Sequence, residues 1–200
     1  RFGQRVPGDH RGGARARPYA GTDSPRPASE AARERDPANV LLHCMPVRRL
    51  EGEAIRDAML VVSGQLNASQ FGSPVPVHLT EFIVGRGRPD VSGPLDGKGR
   101  RSIYTSLRRN FLPTMMVAFD FPTPFSTVGR RNVTNVPAQS LVMMNDPFVH
   151  QQAASWAARL MRELPRAEDS ERLQWLFETG FGRPAEPEEM RLALDSLSAF

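Results

Sequence analysis

The chain has 200 residues, enough for one ordinary domain and a tail, and 40% of them are hydrophobic. Its formal net charge of +4 divides into +3 over residues 1–39, +4 over 40–150 and −3 over 151–200. This thin spread argues against nucleic acid as a partner, the lone Cys44 excludes an intramolecular disulfide, and no apolar run reaches the ~18 residues of a membrane span.

Residues 1–38 are rich in Arg, Gly, Pro and Ala and hold almost nothing large and apolar. Such a segment cannot offset its ordering entropy, so we predict a disordered tail, with the domain running over residues 39–200. The composition also raises the hypothesis that residues 1–35 derive from a wrong reading frame. Because the chain begins with Arg1 and stops at Phe200 inside a predicted helix, we expect a fragment.

The first predicted helix spans "MPVRRLEGEAIRDAMLVVSGQL", from Pro46 to Gly64. Its apolar residues recur at three-to-four spacing, proline suits a first turn, and glycine suits an end. On its polar face we expect Glu53 to pair with Arg49 and Arg56, four residues before and three residues after it.

Gly and Pro break residues 67–99, which predicts a long irregular loop with a possible short strand at "VHLTEFIV". His78 has no second ligand at metal spacing, so we predict no metal site there. "RRSIYTSLRRNF" alternates apolar and polar residues, which favours a strand. Pro113 then opens a short helix, "PTMMVAFD", with Met115, Met116, Val117 and Phe119 as core residues.

"GRRNVTNVPAQSLVMMNDPF" divides into a polar loop over residues 129–135, a short buried helix over 137–144, and a capped junction at Asp146. Three helices follow: one from Asp146 to Leu164, one ending at Gly180, and one starting at Pro187. The predicted fold class is therefore mainly α, a helical domain fragment with one or two short β-strands and long irregular loops.

The motifs "DPANVLLHCMPVRRLEGEAIRDAMLVVSG", "RRSIYTSLRRNFLP", "FDFPTP", "GRRNVTNVPAQSLVMMNDPFV" and "GFGRPAEPEE" occur in this order. Together they resemble the carboxy-terminal part of the planctomycete cytochrome-c-associated domain called PSD-one, a domain of unknown function. The resemblance covers about residues 36–200, whereas residues 1–35 do not resemble the family's preceding helical segment.

The resemblance implies a setting more than an activity. Full-length relatives are large, exported or cell-envelope proteins in which this domain follows a companion domain and often a cytochrome-c-like domain. The haem attachment motif is absent here, so we expect no cofactor on this fragment, and haem belongs to a separate domain of the relatives. The expected partners are the other domains of the same protein.

A set of polar residues forms the candidate ligand-binding or structural cluster. Arginine forks hold carboxylates bidentately and asparagine both donates and accepts, which suits an anionic or sugar-like ligand, yet the same groups also satisfy buried polar atoms in irregular folds. The cluster consists of Arg101, Tyr104, Arg108, Asn110, Asp120, Arg130, Arg131, Asn132, Asn145 and Asp146.

No local set of residues predicts catalysis, because paired carboxylates, a metal cluster or a nucleophile with its base are not apparent. The first hypothesis is a non-catalytic structural or interaction module of an exported multidomain protein. The alternative is a carbohydrate-binding or carbohydrate-acting envelope protein that uses the Arg, Asn and Tyr side chains. Nucleic-acid binding by the Arg-rich amino end is the least favoured hypothesis.

Overall fold

The computed structural model describes residues 30–43, 49–125 and 127–199. The chain divides into two compact units, Arg1–Pro46 and Val47–Phe200. The helices in the described ranges are α1 (Glu30–Arg35), α2 (Gly52–Val62), α3 (Thr114–Ala118), α4 (Pro137–Asn145), α5 (Pro147–Glu163), α6 (Asp169–Phe181) and α7 (Pro187–Ser198). The predicted mainly helical fold is confirmed. None of these helices has the length and apolar character needed to cross a bilayer.

In the first unit, regular structure begins earlier than the sequence predicted. Helix α1 lies inside the segment expected to be disordered, with Glu30 in its first turn and Arg35 in its last, an order that suits the helix dipole. The Asp36 carboxylate then accepts hydrogen bonds from the backbone N–H groups of Val40 and Leu41, at 2.9 and 2.7 Å. These bonds lower the pKa of Asp36. Residues 1–29, which hold the rest of the predicted tail, lie outside the described residues.

In the second unit, α2 is central but shorter than predicted. It begins at Gly52, and the predicted start at Pro46 lies outside the described residues. Gly52 is buried where a Cβ would lie 3.1 Å from the Cα of Met116, so α2 enters very close to α3. Leu60, Met115 and Phe148 form the main core cluster and join α2, α3 and α5.

The predicted pairing of Glu53 with Arg49 and Arg56 along one helix is wrong. Arg49 precedes the first turn of α2, so it is not on the helix at all. Glu53 binds Arg131, and Arg56 turns inward to the loop around Ser102. Partners distant in sequence therefore replace the weak helical pairs.

The segment between α2 and α3 is irregular, as predicted, and β-type pairing there is limited to three isolated bridges within the described ranges. The predicted strand at residues 100–111 instead contains a 3-10 turn, Ser102–Tyr104, flanked by bridges. Ser102 is drawn into the turn because its N–H and hydroxyl both donate to the Asp57 carboxylate, at 2.7 Å each. Residues 77–84 contain no strand either; Val77, Leu79 and Phe111 form a second, smaller core cluster.

Helices α3 and α4 were predicted to be buried. The prediction is correct for part of α3 and wrong for most of α4. Met115 and Met116 are buried, but Val117 is exposed. In α4 the only buried residue is Gln139, whereas Leu141 and Met144 are exposed. We predicted burial because α4 is rich in apolar residues. In the structure the helix is oriented with Gln139 facing inward and Leu141 and Met144 facing outward.

Helices α5, α6 and α7 were correctly predicted, with one boundary corrected. Asp146 caps α5 by accepting from the N–H of Phe148 at 2.8 Å. Helix α6 ends at Phe181 and not at Gly180, and its C-cap is Gly182, which has φ of +68°. Gly180 lies instead against Trp156, where a Cβ would be 2.8 Å from the ring.

Arg183 joins α6 to α7. Its guanidinium makes two 2.7 Å hydrogen bonds to Glu189, which also accepts from the backbone N–H of Glu186 at 2.9 Å. The ring of Phe177 lies 5.8 Å from the same guanidinium. The bonds from Arg183, with the backbone bond, lower the pKa of Glu189 to about 2.

The α6–α7 connection should therefore weaken in acid. A carboxylate with a depressed folded-state pKa contributes its full stabilisation above its unfolded pKa of 4.5 and loses it as the pH falls towards 2. We expect Glu189→Gln to lower the thermal midpoint at pH 6 and to become indistinguishable from the parent near pH 2. Glu171→Gln, at an exposed position of α6, is the control. Equal midpoint differences for Glu189→Gln at both pH values would contradict the assignment.

Candidate functional site

Arg131 fastens the polar segment 129–136 to the start of α2. It donates two 2.8 Å hydrogen bonds to the two carboxylate oxygens of Glu53, and it lies 3.2 Å from Glu51. The ring of Phe121 lies 5.4 Å from its guanidinium. Partial burial alone would raise the pKa of Glu53, but the hydrogen bonds and charge of Arg131, together with a backbone hydrogen bond, outweigh burial and lower this pKa. This arrangement of Arg131, Glu51 and Glu53 is called the arginine clasp below.

Arg49 makes a second connection to the same segment. Its guanidinium donates to the carbonyl of Thr134 and to the side chain of Gln139, and at 2.9 Å to the side chain of Asn135. Gln139 is consequently buried although it is polar, because it carries the bond that orients Arg49. The two arginines fix the position of α4 relative to α2.

Asp120 also holds this segment. Its carboxylate accepts from the N–H of Thr134 at 2.7 Å and from the Thr134 hydroxyl at 2.9 Å. Asp120 has φ of +61°, a left-handed conformation that aspartate tolerates better than most residues. The structure thus brings Arg131 and Asp120 together around segment 129–136, and their contacts are internal to the unit.

Tyr104 and Arg101 lie in a different part of the unit. The Tyr104 hydroxyl accepts from the backbone N–H of Phe71 at 2.9 Å, and the Arg100 guanidinium covers its ring at 4.0 Å. Arg101 is mostly exposed and lies 3.5 Å from Asp57. Both residues support the loop around the 3-10 turn.

Four of the predicted residues are exposed and have no side-chain partner among the described residues: Arg108, Asn110, Arg130 and Asn132. Arg108 lines an open groove of about 360 Å³ together with Pro76, Pro89, Asp90 and Val91. The structure therefore separates Arg130, which is free in the described part of the chain, from its neighbour Arg131 in the arginine clasp.

Asn145 and Asp146 mark the junction of α4 and α5. The Asn145 amide donates to the Leu141 carbonyl at 2.9 Å, within its own helix. Asp146 caps α5 and also lines a small cavity. The residues of the predicted cluster thus lie in several separate places in the structure. Of these residues, Asp146 lines the cavity.

The cavity has a volume of about 100 Å³ and is bordered by α2, α3, the start of α5 and residues 78–95. Its polar lining consists of Arg56, His78, Thr80, Thr114 and Asp146, and we call it the Arg56 cavity. The other walls are apolar and include Leu95, Met116 and Phe148. Among the described residues, no group of three or more His, Cys, Asp or Glu side chains is placed to hold a metal ion.

Arg56 is the most buried charged residue of the site, with 7% of its surface exposed. Its guanidinium donates to the carbonyls of Asp96 and Arg100, at 2.6 and 2.9 Å, and to the hydroxyl of Ser102 at 3.2 Å. Burial lowers the pKa of Arg56. The charge of Asp57, which lies 3.5 Å away, opposes this shift. The residue stays charged, since arginine does not deprotonate in proteins.

Sequence reasoning missed Arg56 and His78 as site residues. Arg56 occupies a polar position of an amphipathic helix, so periodicity placed it outside, and His78 was read as a solitary histidine. Their role depends on loops 94–102 and 92–93, which are remote in sequence from both. The prolines and glycines of these loops were the available signal, because they indicate loops built to a fixed shape.

The arginine clasp supplies the first stability prediction for the site. Arg131→Ala should lower the free energy of unfolding by about 1–2 kcal/mol, because it leaves the partly buried Glu53 unpaired. Arg130→Ala should change it by less than about 0.5 kcal/mol, as for other exposed positions. Urea unfolding of the two variants measures both values. Equal effects would contradict the division of roles between the two arginines.

Comparisons with known proteins agree with the motif resemblance. A family model, PSD1, described as "Protein of unknown function (DUF1553)", matches residues 21–197. The match begins inside the segment that was predicted to be a tail. Neither the curated proteins nor the solved structures contain a match. Since the family model covers most of the sequence, the chain belongs to the PSD1 family of proteins of unknown function.

Proposed function

We propose that this domain is a non-catalytic interaction module of an exported, cytochrome-c-associated multidomain protein, and that it docks another domain of the same protein. The observation that carries the proposal is the orientation of α4. Leu141 and Met144 are 58% and 68% exposed, while Gln139 on the opposite side is 4% exposed. A helix with its polar residue inside and its apolar residues outside is typical of a surface that is covered by a partner.

Three exposed apolar residues of α4 lie on one face. Pro137, Leu141 and Met144 are spaced i, i+4 and i+7, so they form a continuous stripe along the helix, which we call the α4 face. The opposite side packs Val142 against the core. The helix cannot simply rotate to bury its apolar stripe, because Gln139 is bound to Arg49.

The chemistry of the α4 face favours a permanent partner. No charged residue occurs from Val133 to Asn145, although charged residues make up 24% of the chain. Hydrophobic interfaces without charges are typical of obligate association, and in a multidomain chain they hold domains in a fixed arrangement. The companion domain expected from the family resemblance is therefore the proposed occupant.

Two aspartates on the α4 face test this proposal. In a full-length protein that carries this chain, Leu141→Asp with Met144→Asp should separate the domains, because each charge would be buried without a partner. We expect a larger radius of gyration in solution scattering and faster cleavage between domains by a protease. The matched control is Leu192→Asp with Leu197→Asp on the exposed side of α7. Unchanged domain arrangement in the α4 double variant would refute the proposal.

A further inference from the structure

We propose that the Arg56 cavity binds a neutral polyhydroxylated group, the size of glycerol or of the end of a sugar. The inference is independent of the α4 face. It depends on the donor and acceptor atoms of the cavity walls that have no hydrogen-bond partner in the described part of the chain.

His78 presents an acceptor. Its Nδ1 is 2.9 Å from the carbonyl oxygen of Gly93, which can only accept, so Nδ1 carries the proton. In the neutral imidazole Nε2 is then a free acceptor, and no described residue donates to it. A group that binds at this nitrogen must bring a hydrogen.

Asp146 presents a second acceptor. Its Oδ1 accepts from the N–H of Phe148 at 2.8 Å, which commits one carboxylate oxygen to the helix cap. Its Oδ2 has no donor among the residues that the structure describes. Two open acceptors in one small cavity disfavour a carboxylate ligand, which brings no hydrogen to donate, and the negative charge of Asp146 opposes a phosphate.

The positive charge of Arg56 does not make the cavity favour an anionic ligand. Three of its five N–H groups donate to protein oxygens, and Asp57 lies 3.5 Å away, so the positive charge of Arg56 is partly compensated and two N–H groups remain as donors. The two charged groups of the lining, Arg56 and Asp146, have opposite signs, so the lining favours neither an anion nor a cation. The cavity therefore suits a ligand that donates hydrogen bonds and carries no net charge.

The remaining walls fit the rest of such a ligand. The hydroxyls of Thr80 and Thr114 both donate and accept, and neither is bonded to a described residue. Leu95, Met116 and Phe148 offer apolar contact to carbon-bound hydrogens. A volume of about 100 Å³ admits a few heavy atoms and not a whole oligosaccharide, so a polymer would enter by its end.

The test is a titration of the full 200-residue chain followed by amide nitrogen–proton spectra. Glycerol, methyl glucoside and a tetrasaccharide are the polyol probes, with acetate and methylammonium as charged comparators. We expect saturable shifts at Phe148, Thr114 and Gly93 with the polyols. Tighter binding of glycerol assigns the site to free polyols, and tighter binding of the tetrasaccharide assigns it to the end of a glycan.

Asp146→Asn is the decisive variant. Asparagine caps helices as well as aspartate, so α5 keeps its cap, while the second carboxylate oxygen is replaced by an N–H₂ group and the charge-assisted hydrogen bond from a ligand hydroxyl is lost. We expect the polyol Kd to rise about tenfold, the effect of one lost hydrogen bond. Thr114→Val should weaken binding in the same direction.

Asp90→Asn, in the open groove with Arg108, is the control and should leave the Kd unchanged. Three results would overturn the proposal. They are the absence of saturable shifts with any polyol, tighter binding of acetate or methylammonium than of polyols, and equal polyol affinity in the parent and Asp146→Asn.

Discussion

Gly93→Ala should lower the free energy of unfolding by about 3 kcal/mol or more, above the usual range for an added methyl group. A Cβ at residue 93 would lie 1.8 Å from the carbonyl oxygen of Pro76 and 2.6 Å from its carbonyl carbon. Real Cβ atoms do not approach backbone so closely. One of the two segments would have to move.

The displacement would also break the hydrogen bonds that join these segments. The N–H of Gly93 donates to the Val77 carbonyl at 2.9 Å, and the Gly93 carbonyl accepts from His78. Ser92 alongside bonds the backbone of Leu79 in both directions. Because Val77 and Leu79 form the second core cluster, the loss extends to the packing around Phe111.

Gly129→Ala is the matched control, since a Cβ there meets nothing within 4 Å. Its stability should stay within about 0.5 kcal/mol of the parent. Denaturant unfolding of both variants, with hydrogen exchange at Leu79 and Gly93, gives the comparison. A Gly93→Ala protein as stable as Gly129→Ala would show that the two segments are not held as described.

The helices were predictable because their signals are local. The apolar spacing of α2, α5, α6 and α7 repeats within each helix, and Asp146 and Gly182 mark ends that sequence rules describe well. The error at Gly180 has a clear cause: both glycines suit a helix end, and only contact with Trp156 decides between them.

The loops and the site were not predictable because their partners are remote. Glu53 and Arg131 are 78 positions apart, and Arg49 and Gln139 are 90 apart. The alternation around Ile103 favoured a strand, but Ser102 is held by Asp57 and Arg56 from α2. The buried Gln139 and the exposed Met144 likewise follow from the position of Arg49, which no local pattern in α4 reveals.

Arg56→Met should have a comparably large effect, about 3–5 kcal/mol of lost stability, although the replacement is apolar and fits a buried position. The side chain is central to three elements of the fold. It leaves α2, crosses to the 94–102 loop, and lies 5.3 Å from the ring of Phe148 at the start of α5.

The loss has two parts. The carbonyls of Asp96 and Arg100 would keep their partly buried positions without their donor, at about 1–3 kcal/mol each. Gly97 has φ of +62° where a Cβ would lie 2.6 Å from Arg56, which shows how closely the loop follows the guanidinium. Without Arg56, the hydrogen bonds between the loop and α2 are those from Ser102 to Asp57 and to the Glu53 carbonyl.

Arg56→Lys separates charge from geometry. An ammonium keeps the positive charge near Asp57 but cannot donate in the planar fork that reaches Asp96, Arg100 and Ser102 together. We expect it to recover less than half of the stability lost in Arg56→Met. Arg130→Met, at an exposed arginine, should be close to neutral in the same urea titrations. If Arg56→Lys restored full stability, the charge of residue 56 and not the planar fork of its donors would position the loop. The hydrogen bonds assigned to the Arg56 guanidinium in the Arg56 cavity would then be incorrect.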